Sequence, residues 1–265
     1  MKALVLSAGY GERLRPLTNT TPKPLLEVGG RPLIEYALLM LQAAGITVIA
    51  INVHHLAGQI ERALGDGRTR GLALTYAPEA VLMGTGGPLL ALRDYFANET
   101  FVILNSDTIM DLDLAEVLAH HRENGGLATL VLRASGNGDA YSRIEIDAAG
   151  RIRRMRLLKR RARGEFDDYP AALDATSVAA LRPCMYCGVM VCEPALLTAL
   201  PQAAPFSLVG DLLAPRLTQG AALFGYVHEG FFRTVDDRRS YEALRAEFAT
   251  TAPPLAFLRA GHGAS

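Results

Sequence analysis

The sequence predicts an α/β protein built on a doubly wound, mainly parallel sheet in three α/β/α layers, with a small β-hairpin subregion. Three observations carry that prediction. Short aliphatic and β-branched runs alternate with longer segments of helical periodicity. The runs end in glycine or acidic residues. At 265 residues, half of them hydrophobic, the chain can bury a sizeable core.

The elements follow in order. "KALVLSA" is a first strand, stopped by Gly9. "PLIEYALLMLQAAG" has apolar residues at helical spacing and stops at Gly45. "TVIAINV" is a second strand, and "HLAGQIERALGDG" carries the next helix. "LALTYA" is a third strand, "GPLLALRDYFA" a helix, and "TFVILNSDTI" a fourth strand running into carboxylates. "DLAEVLAHHRENG" is helical and "LATLVLRA" is a strand. This βαβ rhythm is Rossmann-like, and such sheets bind ligands beyond the carboxyl ends of their strands. The stretches Gly9–Lys23, Asn52–His54, Gly84–Gly87 and Asn105–Asp111 all follow strands and are expected to converge on one crevice.

After Arg133 the pattern loosens. "YSRIEIDAAGRIRRMRLL" reads as a hairpin turning at Ala149-Gly150, and Lys159 to Arg182 as a loop or lid without periodicity. "MYCGVMVCEP" resumes as a strand, "PALLTAL" and "SLVGDLLAPRLTQG" are helical, "LFGYVHEGFFRTV" is stranded, and "DRRSYEALRAEFA" closes with a helix. We expect one domain over 1–249, with a nucleotide-binding half (1–133) and a second half (134–249), and a peripheral tail over 250–265.

Composition narrows the function. Lys plus Arg and Asp plus Glu both number 27, a formal net charge of zero, which argues against a nucleic-acid partner. The basic run "RIRRMRLLKRRAR" reads as a solvated hairpin or a rim that attracts phosphorylated substrates. No apolar run approaches the ~20 residues of a membrane span. The opening "MKALVLSAGYGERL" is too short in its apolar part for a signal peptide. A cytoplasmic protein is expected. A chain of this size is compatible with a homo-oligomer. Cys184, Cys187 and Cys192 form no disulfide framework, and Cys184-Met-Tyr-Cys187 lacks a second pair for zinc; strand thiols are expected.

Glycine in a loop after a first strand presents backbone N–H groups to a phosphate. Gly9-Tyr10-Gly11 does so, although Leu14 stands where a dinucleotide fingerprint needs its third glycine. Arg13 and Lys23 add charge, and Pro22 and Pro24 stiffen the backbone around the lysine. In "NSDTIMD", Asp107 ends a buried strand as a hard-oxygen ligand for Mg²⁺; as an alternative it caps a turn. Asp111 and Asp113 read as caps of the next helix. "MGTGG" places three glycines within four residues, suited to backbone that packs against a flat ring or to a helix-entry turn.

In order and together, "LSAGYGERLRPLTNTTPKPLLEVGGRPLIEY", "INVHHLAGQIERALGDG", "GTGG" and "FVILNSDTIMDLDL" resemble the sugar-1-phosphate nucleotidyltransferases, the nucleotide-sugar pyrophosphorylases. The likeness covers the first half densely. Within the family the short length and "GTGG" most resemble mannose-1-phosphate or heptose-1-phosphate guanylyltransferases and the uridylyltransferase acting on N-acetylmuramic acid 1-phosphate. The resemblance implies in-line attack of a sugar-1-phosphate oxygen on the α-phosphorus of a nucleoside triphosphate (NTP), with Mg²⁺ as cofactor. It implies that Gly11 and Arg13 cradle the triphosphate and that Lys23 neutralises charge near the α-phosphate. It places Ala8 and Gly9 by the nucleoside and Gly84, Thr85 and Gly86 by the base, with Glu79 as a polar contact. Asp107 takes the metal position.

Two departures stand out. The second metal carboxylate of the family falls on Thr234; either Asp236 or Asp237, just beyond, reaches the metal, or the site has one protein carboxylate and more water, or catalysis is weakened or lost, and N-capping of the last helix is the other reading of the two aspartates. The acceptor residues differ as well: Leu158-Lys159 stands for a Glu-Lys pair, and Tyr186-Cys187-Gly188 for Asn-Ala-Gly. Tyr141, Lys159, Tyr186 and Gly188 are therefore the acceptor candidates, for an unusual acceptor. A mannose-type guanylyltransferase is the leading expectation. Uridylyl or thymidylyl transfer, or a catalytically silent nucleotide-sugar-binding subunit, are the alternatives.

Overall fold

The computed structural model describes residues 1–135, 142–158, 165–171 and 180–260, without the side chains of 259 and 260. The chain divides into two compact units, 1–82 with 102–114 and 230–265, and 83–101 with 115–229.

In the first unit, strands Lys2–Leu6, Val48–Val53 and Ala73–Pro78 pair in parallel, Leu4 opposite Ala50 and Ala50 opposite Thr75. The strand Phe101–Asn105 lies on the other side of Lys2–Leu6. The strand order therefore reverses at Lys2–Leu6, the point where a doubly wound sheet opens its ligand crevice. The strands are continuous runs of Val, Ile, Leu and Ala because both faces are covered, and Ala3, Leu4, Val5, Ile49, Ala50 and Ile51 are fully buried. Helix Leu33–Ala43 stops where Gly45 takes φ 74°, and Ala57–Leu64 forms the second connection.

"TFVILNSDTI" is two strands, not one. The Ser106 N–H and hydroxyl both donate to the Leu6 carbonyl, at 3.2 and 2.8 Å, and turn the chain. Thr108–Met110 then pairs antiparallel with Phe232–Thr234. Around this ribbon Leu14, Val28, Leu33, Tyr36, Ile109, Val235, Tyr241 and Leu244 form a core. Leu255, within the segment expected at the periphery, joins it at 1% exposure.

The second unit holds a mixed sheet in the order Phe166–Pro170, Ile152–Leu158, Arg143–Ile146, Arg182–Cys192, Ala128–Ala134, Leu223–Val227. The last pair is parallel and the others antiparallel. The expected hairpin is present. Part of the expected lid, however, is strand Phe166–Pro170, which pairs with Arg154–Leu158. Its sequence, FDDYP, shows no apolar alternation because its hold is electrostatic. Arg154 donates to Asp168 at 2.7 Å, and the Arg143 and Arg156 guanidinium groups lie over the Phe166 ring. The basic run is thus partly neutralised by Asp147, Glu145 and Asp168. "GPLLALRDYFA" is interrupted at Leu92, giving two four-residue helical turns. Residues Leu208–Leu213 form a π-helix before helix Ala214–Thr218. No described helix is long and apolar enough to cross a membrane.

The three thiols are buried and unbridged. Burial pushes all of them up, Cys187 to about 12, which suits structural strand thiols.

Candidate active site

In the first unit, the loop that leaves Lys2–Leu6 winds through three short 3₁₀ turns between Glu12 and Leu25. Gly11 has φ 62°, and a Cβ there would stand 2.8 Å from Thr18 Cγ2, so the turn requires glycine. Its carbonyl accepts the Thr18 hydroxyl and the Leu14 N–H, both at 2.9 Å. Gly9 differs: a Cβ there meets no atom within 4 Å. The backbone at Gly9 faces open space that a ligand can approach.

Helix Ala57–Leu64 and the residues before it pin the far side of the loop. His55 Nε2 lies 2.7 Å from the Thr18 carbonyl, and Gln59 donates to the Thr20 carbonyl at 2.9 Å. Lys23 follows Pro22 and precedes buried Pro24, and its ammonium pairs with Asp107. The two side chains are 16% and 23% exposed. Asp107 reaches this position because of the Ser106 turn. The charges that sequence reasoning assigned separately, one to phosphate and one to metal, are thus in contact.

Arg13 pairs with Asp236 at 3.2 Å, with 69% of the Arg13 side chain exposed. Such an exposed pair adds little stability, so its cation remains available to an anion. The two readings of Asp236 and Asp237 separate in the structure. Asp237 caps the last helix through a capping box with Ser240. Asp236 carries the Arg13 pair, and Thr234 spends its backbone pairing with Thr108. The Val235 N–H donates to the Asp107 carbonyl at 3.1 Å, which ties this segment to the Asp107 turn.

Glu79 is 7% exposed, and its carboxylate accepts from Asn52 Nδ2 at 2.7 Å. Asn52 Oδ1 in turn accepts the Ser7 N–H at 2.8 Å, beside buried Ala8. His54 Nδ1 donates to the Glu79 carbonyl at 2.7 Å, and Nε2 shares a hydrogen bond with the Tyr10 hydroxyl at 3.0 Å. The Tyr10 ring also meets His54 and His55 edge-on, at 5.2 and 5.5 Å. From the sequence, Tyr10 carries no expectation and the His54-His55 pair reads as a cap or packing pair sooner than as a ligand contact. The signal was the aromatic inside the glycine turn together with a His-His pair after the second strand.

In the second unit, the three glycines of "GTGG" are required by packing. A Cβ at Gly84 would stand 2.4 Å from the Phe206 carbonyl, at Gly86 2.2 Å from the Phe206 ring, and at Gly87 2.3 Å from the Met83 carbonyl. The segment is stitched to 206–208 by Gly86 N–H to Phe206 carbonyl at 3.0 Å, Phe206 N–H to Met83 carbonyl at 3.1 Å, and Leu208 N–H to Thr85 Oγ1 at 2.9 Å. A cavity of about 700 Å³ opens beside it, lined in part by Gly84, Thr85, Leu158, Phe206 and Tyr186. Burial raises the Tyr186 phenol well above its ordinary value, so it is a neutral donor. Gly188, at φ 82°, sits where the register of Arg182–Cys192 shifts against its neighbour. Tyr141 and Lys159 lie outside the described residues.

Among the described residues no three His, Cys, Asp or Glu side chains are grouped to hold a metal unaided. The donor set fits a hard cation that takes a carboxylate oxygen from Asp107, with Asp236 as the further candidate, and completes its shell with phosphate oxygens and water.

Residues 2–156 match the nucleotidyl transferase family. The UTP–glucose-1-phosphate uridylyltransferase of Synechocystis is 30% identical over 244 residues, 87% of this chain and 58% of that protein. The N-acetylmuramate alpha-1-phosphate uridylyltransferase of Neisseria meningitidis is 47% identical over 114 residues, 43% of this chain and 49% of that one. The mannose-1-phosphate guanylyltransferase of Mycobacterium tuberculosis is 28% identical over 262 residues, 98% and 68% respectively. The chain thus spans 58% and 49% of the length of the first two of these relatives. A putative glucose-1-phosphate thymidylyltransferase from Bacillus anthracis shares the fold, with TM-score 0.73 and 21% identity over 97% of this chain and 99% of its own. With the family match extending over more than half of its length, the chain belongs to the nucleotidyl transferase family.

Proposed function

We propose that the chain transfers a nucleoside monophosphate from an NTP to a sugar 1-phosphate, releasing pyrophosphate. The observation that carries the reading is the pairing of Lys23 with Asp107 on a loop pinned beyond the first strand. A fixed cation and a hard-oxygen carboxylate in contact, next to open backbone at Gly9, suit a polyphosphate and its cation.

A phosphate oxygen of the acceptor attacks the α-phosphorus. The new P–O bond forms as the α–β bond breaks, and the electron pair leaves with pyrophosphate. Backbone N–H groups from Gly9 to Gly11 and the Arg13 guanidinium receive the triphosphate. Lys23 neutralises the charge that builds on the α-phosphoryl oxygens. Asp107 would hold Mg²⁺, with Asp236 a second carboxylate one residue beyond Val235; the bound cation would supply charge neutralisation on the phosphates. The Ser7–Asn52–Glu79 chain positions Ala8, Gly9 and Glu79 for the nucleoside. The acceptor's glycosyl part is assigned to the cavity that Tyr186 lines, with Gly188 two residues on along the same strand.

A guanylyl donor and mannose 1-phosphate are the leading pair. Uridylyl or thymidylyl transfer to another sugar 1-phosphate is the alternative, favoured by the 47% identity to a uridylyltransferase over 114 residues. The test is pyrophosphate release with Mg²⁺ across the common NTPs and a panel of sugar 1-phosphates. Turnover abolished by Lys23→Ala and by Asp107→Ala supports the reading. Tight nucleotide-sugar binding without turnover on any pair would replace it with a silent binding subunit.

A further inference from the structure

The turn Gly9–Gly11 is held at both ends and bare in the middle. Before it, the Ser7 N–H donates to Asn52 Oδ1 at 2.8 Å; at its end, the Gly11 carbonyl accepts the Thr18 hydroxyl and the Leu14 N–H, both at 2.9 Å. Among the described residues the backbone N–H groups of Gly9, Tyr10 and Gly11 donate to no other part of the chain. Gly9 has no side chain, and a Cβ built on it would have no neighbour within 4 Å. Restraint of this backbone therefore falls to the side chain of Tyr10.

That side chain forms a tether. The Tyr10 hydroxyl shares a hydrogen bond with His54 Nε2 at 3.0 Å, and the ring meets the His54 and His55 rings edge-on at 5.2 and 5.5 Å. Both imidazoles are themselves fixed to backbone. A carbonyl only accepts, so His54 Nδ1 donates to the Glu79 carbonyl and His55 Nε2 to the Thr18 carbonyl, each at 2.7 Å. The Glu79 N–H in turn donates to the carbonyl of buried Val53 at 2.8 Å, at the end of strand Val48–Val53. The tether thus runs from a glycine turn to the rigid sheet.

We infer that Tyr10 and His54 are positioning residues for the triphosphate, an inference that rests on the reading of the turn as its receiver. Three N–H groups make an anion site only while they point together. A turn with glycine on both sides of one residue loses that alignment readily, and restoring it on binding costs conformational entropy. The tether sets the alignment beforehand, which raises affinity without touching the phosphates. Neither side chain takes part in phosphoryl transfer. The nucleoside end relies instead on the Ser7–Asn52–Glu79 chain.

The test is calorimetric binding to the full chain, with Mg²⁺, of UTP, GTP and dTTP and of their monophosphates. Tyr10→Phe keeps the ring and removes the hydroxyl. His54→Asn keeps a donor for the Glu79 carbonyl and removes the partner of that hydroxyl. One lost hydrogen bond is worth about three- to tenfold in affinity. Each variant is expected to weaken the triphosphate that binds by about that factor, and its monophosphate by less than about twofold. The double variant should stay within about twofold of the worse single one, because both remove the same bond. Melting temperatures should hold at the wild-type value, since Tyr10 is 38% exposed. Equal losses for triphosphate and monophosphate, additive losses, or a melting temperature that falls with affinity overturns the inference. Wild-type triphosphate affinity in either variant does the same and, with pyrophosphate release intact, leaves the reaction standing. A wild-type chain that binds no triphosphate removes the reaction and the inference together.

Discussion

Replacing Gly11 by alanine tests whether the loop between Gly9 and Lys23 is shaped by the two constraints seen there. The first is backbone conformation: at φ 62° an L-residue is strained, at roughly 1–2 kcal/mol. The second is steric: the new Cβ lands 2.8 Å from Thr18 Cγ2, and overpacking of this kind costs about 1–3 kcal/mol. Together Gly11→Ala is expected to destabilise the chain by about 2–5 kcal/mol. Thr18→Ser removes the offending methyl yet keeps the hydroxyl that donates to the Gly11 carbonyl; Thr18 is buried, so alone it costs about 0.5–1.5 kcal/mol. In the double variant the clash disappears and only the backbone strain remains. The cost of the pair should fall below the sum of the single costs by about 1–2 kcal/mol. Urea unfolding of the four proteins measures this directly. Additivity within about 0.5 kcal/mol would show that the Thr18 methyl does not set the loop. Turnover should follow the same order, since the clash pushes the loop toward Lys23, whose Cβ is the next neighbour at 3.3 Å.

Other outcomes follow from single contacts. Gly86→Ala drives a Cβ to 2.2 Å from the Phe206 ring and should cost about 1–3 kcal/mol, part of it regained by adding Phe206→Leu; thermal melts decide. Hydrogen bonds from the Ser240 backbone and hydroxyl hold the Asp237 carboxyl below its ordinary 3.8. The folded value is depressed, so the cap's contribution is complete above the unfolded value and fades as pH falls through the folded one. Asp237→Ala should therefore lower the melting temperature at neutral pH, and the gap to wild type should close as pH falls below the ordinary carboxylate value and through the depressed folded one. Chelation of Mg²⁺ should stop pyrophosphate release, and adding Mg²⁺ back should restore it.

The parallel half was legible because strands buried on both faces leave unbroken aliphatic runs, as in Lys2–Leu6 and Val48–Val53. Strand Phe166–Pro170 was not, because its partners are Arg143, Arg154 and Arg156, and charge pairing leaves no periodicity. The break after Asn105 was hidden for a related reason. It depends on Ser106 reaching a carbonyl 100 positions away, which no local window contains. Lys23 and Asp107 could each be selected from their surroundings, a proline-stiffened turn and a strand end. That the two touch is a property of the sheet order. The glycines of "GTGG" were recognised as demanding positions, yet the demand on Gly84 and Gly86 comes from Phe206, more than a hundred residues on.

The first unit is made of three stretches far apart in the chain, and its core closes only when Tyr241, Leu244 and Leu255 meet Leu14, Val28 and Leu33. Synthesis makes the Gly9–Lys23 loop well before it supplies Tyr241, Leu244 and Leu255 to that core. Until then the loop's supporting leucines have no lid over them, and contacts of such long separation close slowly. The loop is thus expected to lack its finished support, and its leucines to need protection from aggregation, until the segment with Tyr241, Leu244 and Leu255 emerges.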